Sequence, residues 1–239
     1  MRRRKRLPTR RRRAVGCAVA ALVLLILVQN LLHTGLLLPI QAIRLRERQD
    51  GVQGARVLRR QWEPDLYRTA LFYLTANDRL LVLSDTCLSA QGWRPGYTAL
   101  LDCAEDKPLH AMERIILLDA GEEAENRYYG THFFFYGRVD DPAIETVEIQ
   151  LKMPPEAAEE EGVSGGYLSL TASIFQRDGR RYFLLDHRLP LLPPGDLARD
   201  DRVVGRDGAG NAVTVVRIEA AAVSSCRRSP RAAESGGST

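Results

Sequence analysis

A mainly β fold behind a single membrane-spanning helix is what this sequence predicts, and three observations predict it. Residues 2–13 carry nine Arg or Lys and run straight into an apolar stretch that reaches about Leu38. From about residue 66 onward, apolar and polar residues alternate with a period of two in one segment after another. Gly, Asp and Pro separate those segments, as turns between antiparallel strands require.

The span comes first. A bilayer core about 30 Å thick is crossed by roughly 20 helical residues at about 1.5 Å each. Residues 14–28 (AVGCAVAALVLLILV) hold no polar group beyond the Cys17 thiol. Gln29 and Asn30 interrupt the run, Leu31, Leu32, Leu36, Leu37 and Leu38 resume it, and Pro39 lacks the N–H that would continue a helix. A signal-anchor over 14–40 is expected, with Asn30 and His33 near one interface. Basic residues flanking a first span stay inside, which makes 1–13 a cytoplasmic arm and puts the rest of the chain outside the plasma membrane. Membrane lipid is thus the first expected partner. No Ala-x-Ala follows the apolar run, and Cys17 precedes most of it, so neither signal-peptide nor lipoprotein cleavage is expected.

Charge separates the arm from the domain. Nine of the 34 basic residues lie in the first thirteen positions, leaving 25 against 30 acidic residues in the remainder. The outer part is mildly acidic, and that argues against nucleic acid as its partner. Among the cysteines beyond the span, Cys87 and Cys103 either bridge a strand–loop–strand segment or are small buried apolar residues. A bridge there would stabilise by roughly 3 kcal/mol in the chain-entropy account. Cys226 is left over near the polar carboxy terminus.

Residues 41–65 are charged, with sparse apolar positions and Gly51 and Gly54, and read as a stalk or linker, or as a short helix leading off the membrane. The domain proper is expected over 66–223, long enough to bury one core, and 224–239 as a disordered tail. LFYLT (71–75) and RLLVLS (79–84) flank Asn77 and Asp78 as a hairpin. ERIILLDAG (113–121) is a third strand, and HFFFYGRV (132–139) an aromatic one. In 145–151, Val147, Ile149 and Leu151 face in while Glu148 and Gln150 face out. Residues 167–174 repeat that pattern, Asp178 and Gly179 turn the chain into RYFLLDH (181–187), and 203–204 pairs with 212–218 around the 207–211 turn. Such a series means an antiparallel sandwich or barrel.

Three of these segments carry a resemblance. YGRVDDPAIETVEIQL (136–151), FQRDGRRYFLL (175–185) and RDGAGNAVTVV (206–216) resemble a pattern in membrane-anchored bacterial proteins with one amino-terminal span and an extracytoplasmic domain. The resemblance implies an immunoglobulin-like strand order and a β-sandwich that binds or supports rather than catalyses; it brings no catalytic residues with it.

The residues themselves supply no catalytic signature. His110, His132 and His187 are widely spaced, without His-x-His or HExxH, so no metal site is expected, and no cofactor. Asp186 and His187 are strand neighbours and point to opposite faces. No GxSxG elbow is present. Asp140 and Asp141 before Pro142, and Asp207 with Asn211, read as turn caps rather than calcium ligands. Tyr128, Tyr129, Phe133 and Phe135 form a candidate aromatic binding face, with part of the cluster going to the core. The leading expectation is a tethered, non-enzymatic module that binds a protein of the cell envelope. Two other readings stand beside it: an envelope hydrolase built on histidine or carboxylates, and a sensor signalling through a partner membrane protein.

Overall fold

The structure is a computed structural model and describes residues 9–31, 36–63, 70–89, 92–117, 131–153, 158, 166–189, 200–218 and 224–225. Helix α1 (Thr9–Leu31) starts in the basic segment and runs through the apolar one. Among the described residues no helix is long and apolar enough to cross a membrane. The described apolar side chains, 14–28, rise about 22 Å at about 1.5 Å each, less than the roughly 30 Å of a bilayer core. Pro39, expected to close the span, instead opens a second helix, α2 (Pro39–Gln49), where the missing N–H of a first-turn proline costs nothing.

The β-strands follow in chain order. β1 (Arg56–Glu63), β2 (Ala70–Ala76), β3 (Leu80–Ser89) and β4 (Gly92–Asp102) form an antiparallel meander, each strand beside the next. β5 (Leu109–Leu117) and β6 (Thr131–Val139) begin a central sheet, β7 (Thr146–Lys152) and β8 (Tyr167–Ala172) lie in a third one, and β9 (Ile174–Arg177) and β10 (Arg180–Leu189) return to the centre. β11 (Arg202–Arg206) and β12 (Ala212–Arg217) complete the third sheet, and β13 (Ser224–Ser225) pairs in parallel with β5. The spatial order is β13-β5-β6-β10-β9 in the centre and β12-β11-β7-β8 in the third sheet. Residues 167–174, expected as one strand, are two: the chain passes from one sheet to the other at Ser173.

Both faces of the central sheet are buried. Phe133, Phe135 and Phe183 pack with Val147, Ile149, Leu151 and Val203 of the third sheet. Phe134, Tyr136 and Leu184 pack with Phe72, Leu74, Leu81 and Leu83 of the meander. The result is three β layers, a sandwich with a third sheet laid on it. This overturns the aromatic binding face: Phe133 and Phe135 have no exposed surface, because a strand covered on both sides is apolar at every position. Tyr128 and Tyr129 lie outside the described residues.

The described part of the expected stalk, residues 41–63, packs against the domain. Ile43 of α2 is buried against Leu71 and Tyr73 on the outer face of the meander, beside Ile40, Val57 and Trp93. The buried Glu47 carboxylate accepts a 2.6 Å hydrogen bond from the Thr75 hydroxyl and pairs with Arg44 at 2.5 Å. Gly51 and Gly54, which made the segment look like a linker, have φ of 75° and 67° and swing the chain from helix to strand. β1 then pairs with β2 along its length.

The disulfide is excluded too. Cys87 sits opposite Arg94 near one end of β3, whereas Cys103 follows Asp102, which faces Leu80 at the other end. Most of β3 separates them, about 20 Å at about 3.3 Å per residue, against a Cα separation below about 7 Å for a bridge. Both are free thiols, and burial pushes that of Cys103 up to about 11. Cys226 lies outside the described residues.

A largely buried charge pair helps to join the meander to the centre. Arg114 of β5, its side chain 3% exposed, pairs with Asp85 of β3 and lies 5.6 Å over the Phe72 ring. Asp85 also accepts the Tyr97 N–H at 3.0 Å, and Gly96 is required there because a Cβ would collide with the carboxylate. Asp85→Ala leaves a buried guanidinium without its counter-ion and is expected to lower stability by about 3–5 kcal/mol. Adding Arg114→Met restores most of the loss. Denaturant unfolding of the single and double variants measures both; equal stabilities of the two would refute the pairing.

Candidate functional site

Polar side chains collect at one end of the interface between the meander and the central sheet. Antiparallel pairing of β10 with β6 puts Arg188 across from His132 and Asp186 across from Phe134. These four share the face turned toward the meander, where Phe134 is core. From the meander, β1 brings Gln61 opposite Phe72 and Glu63 opposite Ala70, two residues of the same core. One ligand atom from each of Glu63, His132 and Asp186 lies within 4.8 Å of the others.

His132 is the unusual member. Its side chain has no exposed surface and stacks on Phe134 with ring centroids 4.3 Å apart. Neither ring nitrogen has a hydrogen-bond partner, and Nε2 stands 3.6 Å from Asp186 Oδ2, just beyond hydrogen-bonding distance. The two carboxylates are held from the outside. Glu63 Oε1 accepts from the Gln61 amide at 2.8 Å, and Oε2 accepts from Arg188 Nη2 at 2.6 Å. The neighbouring His132 ring, then the Gln61 amide, hold the Asp186 carboxyl down at about 2 against the opposing effect of burial.

The other histidines go elsewhere. His110, buried on β5 across from Arg138 at the opposite end of the sheet, lies 3.3 Å from Asp140 Oδ2. Burial first, then the Arg138 charge, pushes its imidazole down. Arg138 grips Asp140 through Nε at 2.8 Å and Nη2 at 2.6 Å, and Nη2 also donates to the Cys103 carbonyl at 2.8 Å. His187 points away from Asp186, as strand alternation requires. The aspartate turns are caps: Asp141 Oδ1 accepts the Ala143 N–H at 2.9 Å, and Asp207 Oδ1 accepts those of Ala209 and Asn211 at 3.0 and 2.7 Å. A polar groove of about 300 Å³ lies at the far end of the meander between Arg56, Asn77 and Arg180. Its rim charges are mutually paired, Arg56 with Asp178 at 3.5 Å and Arg180 with Asp78 at 3.4 Å.

Sequence spacing could not assemble Glu63, His132 and Asp186, which come from three strands in two sheets. The one available signal was a histidine heading the FFFY run, a polar side chain where everything after it is core. Chemically the cluster offers an imidazole and two carboxylates against one guanidinium.

A pH dependence follows from Asp186. Its carboxyl titrates near 2 in the fold against 3.8 ordinarily, so its contribution is complete above about pH 4 and disappears as pH falls through about 2. Asp186→Asn is expected to flatten this part of the stability profile, read by denaturant unfolding from pH 2 to 6; an unchanged slope would refute the interaction. Comparison with protein-family models, curated proteins and solved structures gives no match for this chain.

Proposed function

We propose that this chain is a single-pass, membrane-tethered module whose β domain is held outside the plasma membrane to bind a protein of the cell envelope. The surface of α1 carries the reading. Leu22, Val23, Leu24, Leu25, Ile26, Leu27 and Val28 are consecutive and each is between 42% and 63% exposed. At about 3.6 residues per turn that run circles the helix nearly twice, so a one-sided protein partner leaves much of it in water, whereas a bilayer covers it all. Leu31 and Leu32 extend the apolar sequence toward spanning length, and the basic residues ahead of it favour a cytoplasmic amino terminus. Leu37, Leu38 and Trp62 are exposed where the chain enters the domain, and Trp62 meets Trp93 edge to face at 6.5 Å. Aromatic and apolar groups of this kind settle at the membrane–water boundary.

The domain itself reads as an immunoglobulin-like sandwich with an added layer. β5-β6-β10-β9 facing β12-β11-β7-β8 has the order A-B-E-D facing G-F-C-C′ of that fold. On this reading, α2 and the β1–β4 meander are an amino-terminal addition that covers the outer face of the A-B-E-D sheet. Recognition would use an edge: among the described residues β12 is the last strand of its sheet, and Val213 and Val215 on it are exposed. An extended segment of a partner can add to such an edge through main-chain hydrogen bonds. The hydrolase reading draws on the cluster around His132. No serine or cysteine is hydrogen-bonded to that ring among the described residues, so the interaction reading stands ahead of it.

Fractionation of cells making the full chain tests the tether. The protein is expected in the membrane pellet after an alkaline wash, with the β domain digested by protease added to intact cells. Leu24→Lys with Leu25→Lys, at about 2.5–3.5 kcal/mol per charge at the centre of a span, is expected to move it to the soluble fraction. A wild-type chain that is soluble, or protected until cells are permeabilised, overturns the topology.

A further inference from the structure

We propose that Glu63, His132 and Asp186 form a binding site for a divalent first-row transition-metal ion, ligated by one imidazole nitrogen and two carboxylate oxygens. The argument begins with His132. Buried polar groups are paired in more than about 90% of cases, and leaving one unpaired costs about 1–3 kcal/mol. Here an imidazole with no exposed surface has neither nitrogen hydrogen-bonded to the protein, and its Nε2 faces a carboxylate at 3.6 Å. A metal ion satisfies such a nitrogen through its lone pair.

The surroundings match that occupant. Among the described residues, Glu63 and Asp186 bring two negative charges and Arg188 one positive, a net negative setting that attracts a cation. Ligand atoms within 4.8 Å of one another can close on an ion that binds nitrogen and oxygen at about 2.0–2.2 Å. One nitrogen with two oxygens is a borderline set that suits zinc, manganese or iron(II) and disfavours the soft, thiolate-seeking ions. Outer contacts are in place as well: the Gln61 amide and the Arg188 guanidinium each hold one Glu63 oxygen, and Phe134 fixes the plane of the His132 ring. Such supporting contacts orient ligands and set affinity. With Asp186 38% exposed in its side chain, the ion has a way in from solvent, and further coordination positions remain for water.

Zinc titration tests this on the full chain, purified in detergent and stripped with a chelator. Calorimetry and elemental analysis are expected to give one zinc per chain, with a raised melting temperature. Asp186→Asn and Glu63→Gln keep the shape of each side chain and are expected to weaken binding by at least about tenfold. His110→Gln, on β5 at the other end of the sheet, leaves it unchanged. Metal-edge X-ray absorption of the loaded wild-type protein gives a reading that needs no variant: one imidazole in an oxygen shell supports the site, and sulfur ligation or no imidazole overturns it. No stoichiometric binding, or equal binding by Asp186→Asn and wild type, also overturns it and leaves the cluster as an ion-pair network.

Discussion

Burial of the central sheet on both faces is the constraint from which the rest of this structure follows. Along β6 the side chains alternate between two cores, Phe133 and Phe135 on one side and Phe134 and Tyr136 on the other, and none of the four is exposed. A strand in that position has no polar side to give to solvent. It therefore needs a layer on each face, and the meander supplies the one that a two-sheet sandwich lacks. The same demand passes outward: β2, lying on the central sheet, is buried at every position because α2 covers its other face.

Polar groups that enter such a stack must bring partners with them, and the layers are tied together where they do. Arg114 carries its charge into the meander interface and meets Asp85; Glu47 carries its own under α2 and meets Thr75. Pairs of this kind add little over apolar packing but are costly to break, so they fix which face meets which. Among the described residues His132 is an exception, with Thr131 beside it. It enters the same interface at the mouth of β6 and finds no hydrogen bond there, with two carboxylates beside it. The candidate site arises where the apolar demand of the central strand ends and a polar residue is still inside the fold.

What was legible in the sequence was whatever short-range chemistry determines. The β2–β3 hairpin follows from Asn77, whose side chain accepts the N–H groups of Arg79 and Leu80 at 2.9 and 2.7 Å. The β9–β10 and β11–β12 turns follow from Asp178–Gly179 and from Asp207, and β7 from its plain alternation of Val147, Ile149 and Leu151. The elements missed are those whose reasons lie far along the chain. Pro95 and Gly96 hid β4, an edge strand where a proline is tolerated and a glycine makes room for Asp85. A short helix was one reading of the α2 segment, but its docking and β1 were not legible, because Ile43 and Glu47 find their contacts on β2, past the segment itself. FFFY was legible as aromatic but not as two-sided, since a run of apolar residues does not say how many sheets cover it.

The same distance explains the candidate site. Glu63 belongs to a segment that composition assigns outside the domain, while His132 and Asp186 belong to its centre. A ligand set divided in this way is invisible to spacing, and the division has a physical consequence. β1 is an edge strand of the meander, the first strand after α2. An ion held by Glu63 on that strand and by His132 and Asp186 on the central sheet would bind only when the two layers are docked. Its binding energy would then add to the stability of that docking. Metal loading would thus fasten the meander to the rest of the domain.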